Sequence, residues 1–210
     1  YYQQPQVCGI VNATSSSTPR LSITTFDSVQ DARSQDGTVA HCGLCGFCSN
    51  PHDIRIYDET KNTLLQSSTH CAKRSLIWGR RTAGNCLKKM VGFTGDCNDC
   101  WVENIMCDLR ECIFTCLFYG LFSEVDGGAG GSTSLNRCTL CDEKRCGPEF
   151  VECAGANRRR SGIVSDIERD QELEVCRNVD ADWWKNDYLQ KQWSLQHPAA
   201  SSSPGGPDDS

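Results

Sequence analysis

Cysteine is the residue type with the most chemistry to offer in this chain. There are sixteen: Cys8, Cys42, Cys45, Cys48, Cys71, Cys86, Cys97, Cys100, Cys107, Cys112, Cys116, Cys138, Cys141, Cys146, Cys153 and Cys176. Several stand two residues apart, as Cys42-x-x-Cys45-x-x-Cys48, Cys97-x-x-Cys100 and Cys138-x-x-Cys141. Such spacing serves three chemistries: metal ligation, thiol–disulfide catalysis, and structural cross-linking. A ferredoxin-type cluster wants a cysteine followed by proline, and Cys48-Ser49-Asn50-Pro51 lacks it. Zinc sites bring paired knuckles on hairpins, whereas the second and third pairs here open or precede helices. His41, His52 and His70 are the imidazoles that could complete a ligand set. A redox CxxC needs a βαβ context, and none is visible. Cys97 and Cys107 have the x9 spacing of helical-hairpin intermembrane-space proteins, but a second such pair is missing. Eight disulfides in an oxidising compartment fit the even count and the modest apolar content best. Sixteen cysteines pair in roughly two million ways, so connectivity stays open.

Other reactive constellations are hard to find. No G-x-S-x-G and no Gly-rich phosphate loop occurs. Asp96, Asp99, Glu103, Asp108, Glu111, Glu172 and Glu174 are expected on solvated helix faces. No catalytic residue, cofactor site or metal site is therefore assigned. Arg158-Arg159-Arg160 either binds anions through guanidinium forks or pairs with neighbours such as Asp166 and Glu168; the structural role is favoured. Asn12-Ala13-Thr14 is the one Asn-x-Ser/Thr sequon, so Asn12 is the expected glycosylation site. Trp183, Trp184 and Trp193, with Tyr188 and Leu189, either pack on the protein's own core or anchor another chain; packing is favoured.

The elements that position these residues follow from composition and periodicity. The chain has 210 residues, 38% hydrophobic with the cysteines included, 8% aromatic, and a net charge of −6. That balance argues against a nucleic-acid binder, which needs a positive footprint. The strongest apolar run, 113–122, is about half the roughly 20 residues of a membrane span. A start at Tyr1 is what signal cleavage leaves, and with the cysteines it points to an extracellular or cell-surface location.

Residues 1–40 read as an extended polar arm with a short strand over Leu21 to Phe26. Residues 41–196 read as a cysteine-rich helical domain. It opens on a Gly/Cys knot at 41–52. Expected helices run from Asp53 to Trp78 with Leu64, Leu65, Cys71, Leu76 and Ile77 inward, and from Thr82 to Val91 with Cys86, Leu87 and Met90 inward. A long helix is expected over about 96–121, and another from Ile163 to Val179. In the long helix Cys97, Trp101, Ile105, Leu109, Cys112, Ile113 and Cys116 share a face. Cys100 and Cys107, about 10 Å apart along the axis, must each reach another segment. A Gly-rich loop at 126–134 divides the domain, and a Ser/Pro/Gly-rich tail covers 197–210. The fold class is thus mainly α: a small disulfide-stapled helical domain with an extended N-terminal arm and a C-terminal tail.

The blocks Cys42-Gly-Leu-Cys-Gly-Phe-Cys-Ser-Asn50, Val91-Gly-Phe-Thr94, Asp99-Cys-Trp101 and Phe114-Thr-Cys116 resemble an uncharacterised cysteine-rich family of algal and other protist proteins. Cys138 to Cys146, Gly147-Pro148, Cys153-Ala-Gly-Ala-Asn-Arg-Arg-Arg160 and Ser165-Asp-Ile167 resemble its second half. The resemblance covers roughly 41–179. It implies a secreted or surface protein and brings no catalytic residue.

The function expected from all this is structural and non-enzymatic: a self-assembling subunit of an extracellular fibre or surface appendage. Its terminal extensions would contact neighbouring copies, and head-to-tail contacts propagate when the rotation does not close. A monomeric binding module for a glycan or protein is the alternative, followed by a secreted enzyme whose site assembles only in space.

Overall fold

The computed structural model describes residues 6–13, 20–122, 137–165 and 174–198. Strands β1 (Val7–Ala13) and β2 (Arg20–Phe26), helix α1 (Val29–Ser34) and strand β3 (Thr38–Cys42) come first. The sheet has the order β2-β1-β3 and is antiparallel, with Ile10 opposite Ile23 and Thr38. The N-terminal segment is extended, but as paired strands rather than as an arm leading away from the body. Alternation explains the difference: a strand needs an apolar residue only at every second position. Ile10, Leu21 and Ala40 join the main core, while Val7, Phe26, Ala32 and Val39 form a smaller cluster under α1. Gly9 lets the strands close, since a Cβ there would lie 2.8 Å from the Phe26 ring.

The expected helix over 53–78 is two helices, α2 (Pro51–Glu59) and α3 (Leu64–Trp78). Thr60 ends α2: its Oγ1 donates to the Ile56 carbonyl, the local competition that hydroxyl side chains offer a helix. The break resets the phase of α3, which buries Leu64, Cys71 and Ser75. Leu65, Leu76 and Ile77, expected inward, are exposed. Gly79, at φ 72°, turns the chain into α4 (Arg80–Met90). There Ala83 and Leu87 are buried, whereas Met90, expected inward, is exposed.

The expected spine is also two helices, α5 (Gly95–Glu111) and α6 (Ile113–Phe122), joined at Cys112. Helices α7 (Arg137–Arg145) and α8 (Gly147–Ala154) pack against them, with Pro148 in the first turn of α8. The expected helix over 163–179 is irregular at 163–165 and again from Val175 onward. Residues 166–173, the Gly-rich loop 126–134 and the tail from 199 lie outside the described residues. A short 3₁₀ turn (Trp183–Lys185) leads into α9 (Asp187–Gln196), which lies against α2 and β2.

An aromatic group sits at the centre. Tyr57 of α2, Phe93, Trp101 of α5 and Phe150 of α8 have ring centroids 4.8–6.2 Å apart. Trp101 Nε1 donates to Tyr57 Oη at 3.0 Å, and Tyr57 Oη donates to the Ala156 carbonyl at 3.3 Å. Tyr57→Phe keeps the ring but leaves the Trp101 N–H and the Ala156 carbonyl without this partner. The expected loss is about 2 kcal/mol, read from urea midpoints at unchanged slope; no change would mean that the hydroxyl carries none of the packing.

Candidate functional site

The structure pairs all sixteen cysteines: 8–45, 42–176, 48–97, 71–86, 100–153, 107–146, 112–141 and 116–138. In no Cys-x-x-Cys do the two members bond each other: the members of the first two motifs go to separate segments, and Cys138 and Cys141 both go to the 112–116 turn. A redox CxxC bonds internally when oxidised, and a zinc site needs thiolates; neither arrangement is present among these cysteines. Cys100 and Cys107 each reach α8 or its N-terminal edge, as the helical geometry requires. So dense a set of disulfides belongs to an oxidising compartment and a secreted or surface protein. No helix among the described residues is long and apolar enough to cross a membrane.

Three buried polar groups have the makings of a site. The first is His41 on β3 with Ser49 beside the knot. His41 Nε2 lies 2.7 Å from Ser49 Oγ, and Nδ1 lies 3.0 Å from the Cys42 carbonyl. The carbonyl can only accept, so Nδ1 carries the proton and Nε2 receives the Ser49 hydroxyl. That is the nucleophile–base pairing of an acyl-transfer enzyme. Both side chains, however, are fully buried. Ser49 Oγ also accepts from the Gly46 N–H at 2.7 Å. Burial pushes the His41 pKa down to about 4, with the Arg160 charge acting in the same direction and the Cys42 carbonyl opposing. The pair ties the knot to the sheet.

The second group surrounds Asp53. Asn50 caps α2 by accepting from the Asp53 N–H, and the Asp53 carboxylate accepts from Asn50 Nδ2, Thr94 Oγ1 and the Thr94 N–H. Burial pushes this carboxyl upward, while the Thr94 and Asn50 hydrogen bonds and the His52 charge oppose it. Three bonds reach this carboxylate, and the two from Thr94 join the start of α2 to the turn before α5.

The third is an acid pair between α5 and α7. Burial pushes Asp108 up to about 8, reinforced by the charge of Asp142 and the hydrogen bond between them. Asp142 is also raised, chiefly by burial, with Glu143 adding while Asn104 and Arg159 oppose. Asn104 Nδ2 donates to Asp142 Oδ1 at 3.1 Å. The carboxylate of Asp108 and the sulfurs of Cys112 and Cys146 lie within 4.8 Å of one another. Both sulfurs are in disulfides, so they offer no thiolate to a metal; they form the apolar wall that desolvates Asp108. A helix-face reading of Asp108 missed this because one side of the wall, Cys146, comes from a later segment.

The other named residues have structural roles. Arg158 Nη1 donates to the Lys61 carbonyl at 2.6 Å, Arg159 pairs with Glu143 and Glu174, and Arg160 donates to the Gly155 carbonyl. Trp183 and Trp184 are buried, their ring N–H groups donating to the Ala40 carbonyl and to Asp58. Burial would raise Asp58, but Trp184, Lys61 and Lys185 outweigh it and hold that carboxyl below its ordinary value. Leu189 is buried, Trp193 stacks on His197, and Tyr188 is exposed. His52 Nε2 lies 2.9 Å from the Gly92 carbonyl, and His70 lies exposed on α3. Asn12 is exposed on β1, open to a glycan. Asp96, Asp99, Glu103 and Glu111 face solvent, as expected. A cavity of about 320 Å³ lies between Ser161, Cys176, Asp180 and Trp184. Its acid is already engaged, Asp180 accepting from the Val39 N–H at 2.8 Å and pairing with Arg33.

Residues 80–178 match the model of a family of unknown function, DUF8771. No curated protein and no solved structure matches the chain. Four disulfides close within the matched segment, and three (71–86, 48–97 and 42–176) tie it to earlier residues.

The two shifted groups act on stability with opposite signs. Buried His41 resists protonation, so its contribution is lost as pH falls from 6.5 toward about 4. Asp108 holds its proton in the fold, so its contribution is lost as pH rises from 3.8 toward about 8. Above 6.5 the acid pair is no longer opposed by His41. Urea midpoints should therefore fall between about pH 6.5 and pH 8, and Asp108→Asn should flatten that slope. A wild-type profile already flat there would show that the pair shares no proton.

Proposed function

We propose that the chain is a non-enzymatic structural subunit of an extracellular or surface assembly, built to contact copies of itself. The carrying observation is where the reactive groups go. The cysteines are spent on eight cross-links, and His41, Ser49, Asp53 and Asp58 bond other elements of the same fold. A body fastened this way suits durability outside a cell, where thiols oxidise and proteases act.

Self-contact has a surface to use. On α6, Phe114 and Phe118 are 84% and 69% exposed, and Leu117 lies between them on the same side. One helical turn separates the two rings, so they form an apolar ridge. Apolar patches of this kind mark association sites. The N-terminal strand β1 is already paired on both edges, with β2 and β3 of its own chain. Binding through Trp183 and Trp184 loses its support, because those rings are covered.

Light scattering across a concentration series, with electron microscopy of the same samples, tests the reading. Oligomers or filaments that dissociate on Phe114→Ser with Phe118→Ser are expected. A wild-type chain that stays monomeric at all concentrations, with its disulfides intact by mass, would sink it.

A further inference from the structure

The hairpin of α3 and α4 carries a charge unlike the rest of the chain. Residues 64–90 contain Lys73, Arg74, Arg80, Arg81, Lys88 and Lys89 and no Asp or Glu. Six positive charges in a chain of net −6 leave −12 on all other residues. All six side chains are exposed, and among the described residues only Arg80 has an ion-pair partner, Glu103. At the corner between the helices, Ile77 is 77% exposed and Trp78 is 72% exposed, with Leu76 beside them. Gly79 forms the apex, and a Cβ there would meet nothing within 4 Å. Lys73, Arg74, Arg80 and Arg81 lie within about one turn or so of this tip. The Cys71–Cys86 disulfide and the Arg80–Glu103 pair fix the hairpin in place.

We infer that this corner docks the protein on an anionic lipid surface. Three physical arguments select that partner. The charge selects an anion, because no acid in the hairpin offsets its six cations. The shape is a projecting corner with few apolar residues. A stable protein partner covers about 800 Å² on each side, more than three tip residues supply, whereas a bilayer needs no complementary hollow. The side chains fit the layers of a membrane interface: Trp at the headgroup level, Ile and Leu below it, and a ring of Lys and Arg against the phosphates. An anionic polysaccharide would use the cations and stack on Trp78, but it has no place for Ile77. The protein would rest on the surface without crossing it.

The experiment is flotation of the full, oxidised chain with vesicles of phosphatidylcholine containing about 30% phosphatidylserine, against vesicles of phosphatidylcholine alone. The expected result is binding to the anionic vesicles that weakens as salt rises from about 0.1 M to about 0.5 M. Neutralising Lys73, Arg74 and Arg81 to Gln should weaken it by about a hundredfold, at about fivefold per cation. Ile77→Ser with Trp78→Ser should abolish it at equal vesicle charge. The substituted side chains are exposed, so unchanged far-ultraviolet circular dichroism and an unchanged urea midpoint verify the fold. A wild-type chain that ignores anionic vesicles overturns the inference. So does either variant that binds as wild type, or a wild type that binds dextran sulfate in preference to the vesicles. These outcomes are read on monomer or oligomer alike, so failure of the self-assembly reading leaves them intact.

Discussion

Everything in the fold hangs from the seam where residues 42–48 meet residues 153–155. The Phe47 and Cys48 N–H groups donate to the Cys153 and Ala154 carbonyls at 3.0 and 2.8 Å. Two glycines permit the approach: a Cβ on Gly46 would stand 2.5 Å from the Gly155 nitrogen, and Gly155 itself sits at φ 67°. Four cysteines lie on the seam, and each leaves it for a different partner, two of them on α5. Cys45 goes to β1, Cys42 to residue 176, Cys48 to the start of α5, and Cys153 to Cys100 one turn further along α5. Sheet and helices therefore meet at one place. In the chain-entropy picture Cys42–Cys176 restrains the unfolded chain by roughly 5 kcal/mol and Cys71–Cys86 by roughly 3. A domain holds about 5–15 kcal/mol of net stability, so single cross-links are comparable to the whole margin. That is why a chain with modest apolar content can fold.

The buried polar groups follow from the same constraint. A knot of irregular backbone cannot satisfy its own N–H and C=O groups by a ladder, and unpaired groups are costly inside. His41, Ser49 and Asn50 supply the missing partners: Ser49 to the Gly46 N–H, Asn50 to the Phe47 carbonyl, His41 to the Cys42 carbonyl. Arg160 reaches the seam from the other side through the Gly155 carbonyl. A His–Ser contact of 2.7 Å would draw attention in a cleft. Here burial keeps the imidazole neutral, and the serine is committed to the backbone. Both side chains are buried, and their bonds hold the knot to the sheet.

What could be read from the sequence was what depends on local spacing. The helical class, the Gly79 stop and the separate partners of Cys100 and Cys107 follow from a 3.6-residue period and bond reach. The breaks at Thr60 and Cys112 did not follow, since neither carries Pro or Gly. At Thr60 a side-chain hydroxyl captures a carbonyl. At Cys112 the chain turns where α5, stapled to the seam and α8, gives way to α6, which is stapled to α7 by 116–138. Of the sheet, β2 is legible from its alternation over Leu21 to Phe26, whereas β1 and β3 lack a clear alternation. The acid pair was invisible for a different reason: the wall around Asp108 is made by disulfides whose connectivity no spacing reveals.

The distribution of charge and apolar surface then separates two kinds of residue. Those capable of chemistry are turned inward and matched to one another, and the energetic cost of their burial is offset by bonds across the seam. Those capable of recognition are turned outward: the α6 ridge on one helix, and the cationic corner of α3 and α4 on another. The corner lies outside the seam and is held by one disulfide of its own. Its composition can therefore change without disturbing the cross-linked centre, and no packing requirement explains two exposed apolar residues flanked by cations at that point. A residue that packing does not require at the surface, in a conformation the fold holds fixed, is best explained by what it touches. For Ile77 and Trp78 the proposed contact is an anionic surface.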